Sequence, residues 1–177
     1  MKKTIYNLSK LFFYGFSLFA IILTINSILG LIEYKGWSDF SFISFVENEE
    51  SDFDFLQVQM PFTVQILFGW ILPFIIASLC FYCFYFYALK NFFKLFILEK
   101  VFSDDSLNKL NLFHKLNYLP AFVFVGRSLY SIVNSRKVDN ELLIIAVIHF
   151  IIALLLLYYI DLVKKGHVIQ KENELTI

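Results

Sequence analysis

The run "LLIIAVIHFIIALLLLYYI", Leu142–Ile160, contains no Asp, Glu, Lys or Arg. A helix of about 20 such residues crosses the hydrocarbon of a bilayer. No water reaches the backbone there, so the segment must satisfy its own N–H and C=O groups, as a helix does. Leu11–Ile32 and Met60–Leu89 are equally free of charged residues. Leu116–Val133 is apolar too, but contains Asn117, Pro120 and Arg127. The chain is therefore expected to be an all-α integral membrane bundle of four transmembrane helices, at about residues 11–32, 62–89, 113–133 and 142–163. Composition agrees: 17% of residues are charged, against roughly 25% in soluble domains. One membrane domain, 1–177, follows.

The distribution of charge orients the spans, because lysine and arginine accumulate on the cytoplasmic side. Lys2, Lys3 and Lys10 precede the first span; Lys90, Lys94, Lys100 and Lys109 lie in or near the loop 90–112; Lys164, Lys165 and Lys171 lie in the tail 164–177. The segment 33–60 carries Glu33, Asp39, Glu47, Glu49, Glu50, Asp52 and Asp54 against Lys35 alone. Both termini, the 90–112 loop and the tail are thus expected in the cytoplasm, and the acidic loop outside. Arg136 and Lys137 run against this, two charges against the lysines of the inner side. The first run is too long for the apolar core of a signal peptide and lacks a small-x-small cleavage site, so it reads as an uncleaved span. Abundant Phe, Tyr, Ile, Asn and Lys point to an AT-rich genome, and so to the bacterial cytoplasmic membrane. A net charge of zero gives no reason to expect direct binding to nucleic acid.

Local features set helix ends. Ser103 is placed to cap a helix whose first turn holds Asp104 and Asp105. Pro61 suits a first turn at the start of span two, and Pro73, well inside that span, should kink it. The outer loop alternates partly at period two, at Phe40, Phe42 and Phe55, which leaves a hairpin or an interfacial segment open. Cys80 and Cys83 have CxxC spacing, but in an apolar run without a nearby His or acid they read as small packing residues.

On a helical wheel Asn117, Pro120, Phe124, Arg127, Ser128, Ser131 and Asn134 share one side of the third helix. Leu119, Phe122, Val125, Gly126, Leu129, Ile132 and Val133 share the other. A polar face in a spanning helix should turn away from lipid. Each span also offers one polar group in its outer half: Asn26, Gln65, Arg127 and His149. They read either as interhelical glue or as an outward-facing ligand pocket. Nothing among them has the spacing of a metal site, and no cofactor is implied. No paired carboxylates, catalytic triad, glycine-rich phosphate loop or HExxH motif is present, so an enzyme is not expected.

The tail "KKGHVIQKENELTI" asks for more than a stop-transfer role, because Leu175 and Ile177 follow a polar stretch. Helix four is expected to continue through Gly166 toward Glu172, leaving Leu175–Ile177 extended and able to add as a strand or offer its carboxylate to a pocket. Lys165, Gly166, Glu172, Asn173, Leu175, Thr176 and Ile177 here, with Phe102, Ser103 and Leu107 in "VFSDDSLNKLNLF", resemble the bacterial domain-of-unknown-function family 2975. A glycine frequent in that family before the Phe is replaced here by Glu99-Lys100-Val101. The resemblance implies a small four-span membrane protein, often encoded beside a very small helix-turn-helix regulator. Phe102, Ser103, Leu107, Glu172, Asn173, Leu175, Thr176 and Ile177 would then form a cytoplasmic docking surface for that regulator. A small transport or immunity-type protein binding a ligand through the outer polar layer is the alternative, and a structural subunit of a membrane assembly a third. Besides the bilayer, these are the partners the sequence points to; it is silent on oligomeric state.

Overall fold

Leu11–Ile32 sits inside a longer helix in the computed structural model, which describes residues 1–46, 54–59, 63–97, 101–136 and 138–175. The elements run α1 (Lys2–Tyr34), β1 (Ile43–Val46), β2 (Asp54–Gln59), β3 (Thr63–Phe68), α2 (Leu72–Leu95), α3 (Asp104–Ser135) and α4 (Asn140–Leu175). All four helices are long and apolar enough to cross a membrane. The protein is a multi-pass membrane protein of all-α class, with one small sheet. Every helix overruns its expected span at one end or both, because Lys, Glu and Gln are good helix formers and a helix need not stop where the hydrocarbon does.

The chain divides into two compact units, Lys10–Phe86 and Met1–Ser9 with Tyr87–Ile177. In the first, α1 ends in a Schellman motif. Gly36 adopts φ +71°; its N–H bonds the carbonyl of Glu33, and the Trp37 N–H that of Ile32. The chain then enters an antiparallel sheet of order β1-β2-β3. Leu56 pairs with Phe45 on one side and Ile66 on the other. Alternate residues reach opposite faces of a strand. Here Ile43, Leu56, Val58, Ile66 and Phe68 form one buried face, continued by Leu72. Leu56 packs so closely on Gly30 that a Cβ there would stand 2.6 Å from its methyl carbon. Tyr34, Phe45 and Phe68 pack ring on ring, with centroids 5.1–5.9 Å apart.

Two expectations change here, and one left open is resolved. Residues 63–68 form β3 rather than the start of span two, so α2 begins ten residues later than expected, at Leu72 rather than 62. "TVQILF" is rich in β-branched and large apolar residues, and pairing with β2 satisfies its backbone. Pro73 is consequently the second residue of α2, not an interior kink. Its missing N–H falls among the donors a first turn leaves unpaired anyway. The acidic loop holds strands, although Glu47, Glu49, Glu50, Asp52 and Pro61 lie outside the described residues, as do Lys100 and Lys137.

In the second unit α3 and α4 form an antiparallel hairpin. Ser103 caps α3 as expected: its backbone is extended and its Oγ accepts from the Ser106 N–H. Arg136, at φ 52°, ends the helix in a left-handed turn, and the Asp139 carbonyl accepts the N–H of Leu143 in the first turn of α4. Phe92 near the end of α2 meets Phe113 and Tyr159, with ring centroids 5.4 and 6.4 Å apart. α3 is the least apolar span, with mean hydropathy 1.2 against 2.8 for α4, so it gains most from covering its polar side.

Candidate functional site

The α3–α4 hairpin carries two polar contacts that bring distant sequence together. The first lies where α4 overruns its span. Gly166 leaves room for the Phe102 ring: a Cβ at 166 would stand 2.4 Å from a ring carbon. The next residue, His167, donates from Nδ1 to the Phe102 carbonyl oxygen at 2.9 Å. Its Nε2 is buried and makes no hydrogen bond, yet stands 3.4 Å from an Asp104 carboxylate oxygen. That pairing acts through charge, when the ring is protonated, rather than through a directed hydrogen bond. With Asp104 80% exposed, it is worth at most about 1 kcal/mol. The glycine contact and the carbonyl bond are therefore what fasten α4 to the start of α3. Ser103 belongs to the same clasp through its cap, and Leu107 follows one turn along.

The second contact lies within the membrane-spanning part. The Asn117 amide nitrogen donates to the Phe113 carbonyl at 2.8 Å, so its oxygen faces His149 Nδ1 at 3.0 Å. His149 must then donate from Nδ1. His114 donates from Nδ1 to the Ala153 carbonyl at 2.9 Å. Asn117, His114 and His149 are all buried. Two rungs thus cross the hairpin one helical turn apart, spaced i, i+3 on α3 and i, i+4 on α4, as residues on one face must be. Around them Ala121, Ala146 and Ala153 are buried, and small side chains let spanning helices approach closely.

The four residues expected in an outer polar layer divide between the two units, Asn26 and Gln65 in one, Arg127 and His149 in the other. Gln65 lies on β3, opposite Gln57, and is exposed; it is not in a span. Arg127 is exposed, with its guanidinium 5.8 Å from the ring of Tyr130 on its own helix. At 100° per residue Phe124 and Ser128 stay within about 20° of Asn117, whereas Arg127 and Asn134 fall about 80–100° away, at the edge of the polar stripe. Of the rest of that side, Asn117, Pro120 and Ser128 are buried and Phe124 and Ser131 half-buried, and all seven residues assigned to the opposite side are exposed. Asn26 is buried, in the other unit. His149 bonds across helices to Asn117.

The tail differs from expectation in one respect. α4 continues through Gly166 and Glu172, as its sequence suggests, but Leu175 is still helical rather than extended. Exposed Glu172, Asn173 and Leu175 prolong the helix because Gln, Lys, Glu and Leu all favour it. Thr176 and Ile177 lie outside the described residues. On the same extension, Asp161 bonds Lys165 at 2.8 Å and holds its ammonium pKa above the usual value, first by that bond and then by charge.

Sequence reasoning missed His167 and His114. His114 was legible in part, since it lies three residues before Asn117; His167 was not, because its partner is a backbone carbonyl. Among the described residues no three of His, Cys, Asp or Glu gather as a metal site requires. The arrangement couples helix ends and holds two helices in register. Comparison with known proteins finds no matching family model, curated protein or solved structure.

Proposed function

We propose that this chain is a regulatory or sensory membrane subunit whose cytoplasmic face docks a small helix-turn-helix transcription regulator, and that it resides in a bacterial cytoplasmic membrane with both termini inside. The observation that carries this reading is the continuity of α4 from its apolar run to Leu175, with a clasp to Phe102 and Asp104 on the way. A change in the span is thereby transmitted as a rigid-body movement of the extension and of the start of α3 together. Val168, Ile169 and Leu175 are each more than half exposed, which is costly for a helix in water and favourable for one that receives a partner. The lysine asymmetry supports a cytoplasmic position for this surface, and the resemblance to family 2975 suggests the kind of partner. Catalysis is no part of the proposal.

Deleting Glu172–Ile177 tests it, because neither insertion nor the clasp requires those residues. The shortened protein should accumulate normally and lose the regulator in a pull-down from native membranes. Accelerated degradation or a lower melting temperature would instead mark the tail as a structural element. Normal abundance with undiminished recovery of the regulator would overturn the docking role.

A further inference from the structure

Within the unit formed by residues 10–86, α1 and α2 are held together at two levels. The sheet and its buried face join them at one end. At the other, Phe16 wedges between the helices, its ring centroid 5.0 Å from Phe86 and 6.3 Å from Tyr82. Between these levels the seam is incompletely filled. One groove, of about 450 Å³, is lined by Leu31, Trp70, Pro73 and Ala77 among others. A second, of about 410 Å³, is lined by Ala20, Thr24, Ile25 and Cys80 among others. Each falls in the range of small-molecule sites, roughly 300–1,000 Å³. At 100° per residue, positions 20, 24 and 31 fall within about 40° of one another on α1, and 73 and 80 within about 20° on α2. The two grooves therefore follow one side of the helix pair. From Leu72 to Cys83 that side runs about 17 Å at 1.5 Å per residue.

We propose that this seam binds one acyl chain of a membrane lipid, with the headgroup end beside Trp70. Three observations select hydrocarbon over a polar ligand. The lining contains no charged side chain. Its one hydroxyl, on Thr24, already donates to the Ala20 carbonyl at 2.8 Å. Both walls belong to helices apolar enough to cross a membrane, so lipid tails are the medium the seam opens into. The position of the mouth fixes the direction of the chain. Trp70 and Trp37 are 69% and 77% exposed, beside the start of α2 and just past the end of α1, and tryptophan at the end of a span marks the level of the headgroups. Aromatic bulk at Phe16 closes the inner end. Unlike the lipids that merely surround any membrane protein, a chain in this seam is contacted on two sides and should exchange slowly.

The chain has two tryptophans, so Trp37→Phe leaves Trp70 as sole reporter. The full-length variant is reconstituted in phosphatidylcholine–phosphatidylglycerol vesicles with rising fractions of lipid brominated in the upper half of one acyl chain. Trp70 quenching should contain a component that saturates at low fraction, and native mass spectrometry from mild detergent should show one retained lipid per chain. Ala77→Phe and Cys80→Phe, which fill the two grooves separately, should each remove the saturating component and the retained lipid. Quenching that only follows the bulk fraction, together with no retained lipid in the unfilled protein, overturns the proposal. So does crosslinking through Cys80 between two copies in place of lipid, which would assign the seam to a second chain. The unfilled protein decides the matter even if a filled variant fails to insert.

Discussion

Gly166 and Gly126 both sit in helix interiors, where replacing Gly by Ala normally gains up to about 1 kcal/mol. Nothing lies within 4 Å of a Cβ built at Gly126, whereas one at Gly166 collides with the Phe102 ring. Overpacking of that kind costs about 1–3 kcal/mol, so at Gly166 the two effects oppose each other. Gly166→Ala should be neutral to destabilising by up to about 2 kcal/mol. In a Phe102→Ala background the same change should stabilise by about 1 kcal/mol. Gly126→Ala should be insensitive to residue 102. Thermal or denaturant unfolding in detergent of the four combinations at 102 and 166 reads the sign. An unchanged effect at 166 on removing the ring would show that the two residues do not touch in the folded protein.

At the level of elements, α4 covers the polar side of α3. The Asn117–His149 bond contributes to that cover, but buried polar contacts between spanning helices are modest, averaging about 0.6 kcal/mol and reaching about 1.7. A double-mutant cycle with Asn117→Leu and His149→Leu should return a coupling energy in that range. A coupling near zero would leave close packing around Ala121, Ala146 and Ala153 as the force that pairs the helices. Ser103 adds its part at the entry to α3, since loss of an N-cap side chain costs about 1 kcal/mol. The sheet answers a different demand. Once α1 ends at its Schellman turn, the apolar residues of 43–68 need a surface, and Gly30 provides one by admitting Leu56.

For the whole molecule, the proposed orientation rests on the charge asymmetry, and each end of the proposal depends on it. In a background lacking Cys80 and Cys83, a cysteine at Gln59 should react with an impermeant maleimide in intact cells, and one at Glu172 only after permeabilisation. Both positions are exposed, so accessibility within the protein does not confound the reading. Reaction at 172 from outside would reverse the topology and remove the tail from the cytoplasm. Reaction at neither position in intact cells would place the sheet against the inner face.

Four apolar helices, the cap at Ser103, the buried stripe of α3 and the continuation of α4 past Gly166 are all written in local sequence. Each depends on the hydropathy of a run, on one side chain beside a helix end, or on a period of 3.6 residues. What tertiary structure alone decided depends on partners far away in sequence. Thr63–Phe68 is as free of charge as residues 72–89 of the helix that follows, and only β2 beside it makes it a strand. Arg127 lies near enough to the polar stripe to be counted in it, yet the folded hairpin leaves it exposed. His167 finds the Phe102 carbonyl across 65 residues, because the hairpin brings the end of one helix back to the beginning of the other. A backbone oxygen has no signature in sequence, so that contact becomes visible only once the two helices are folded against each other.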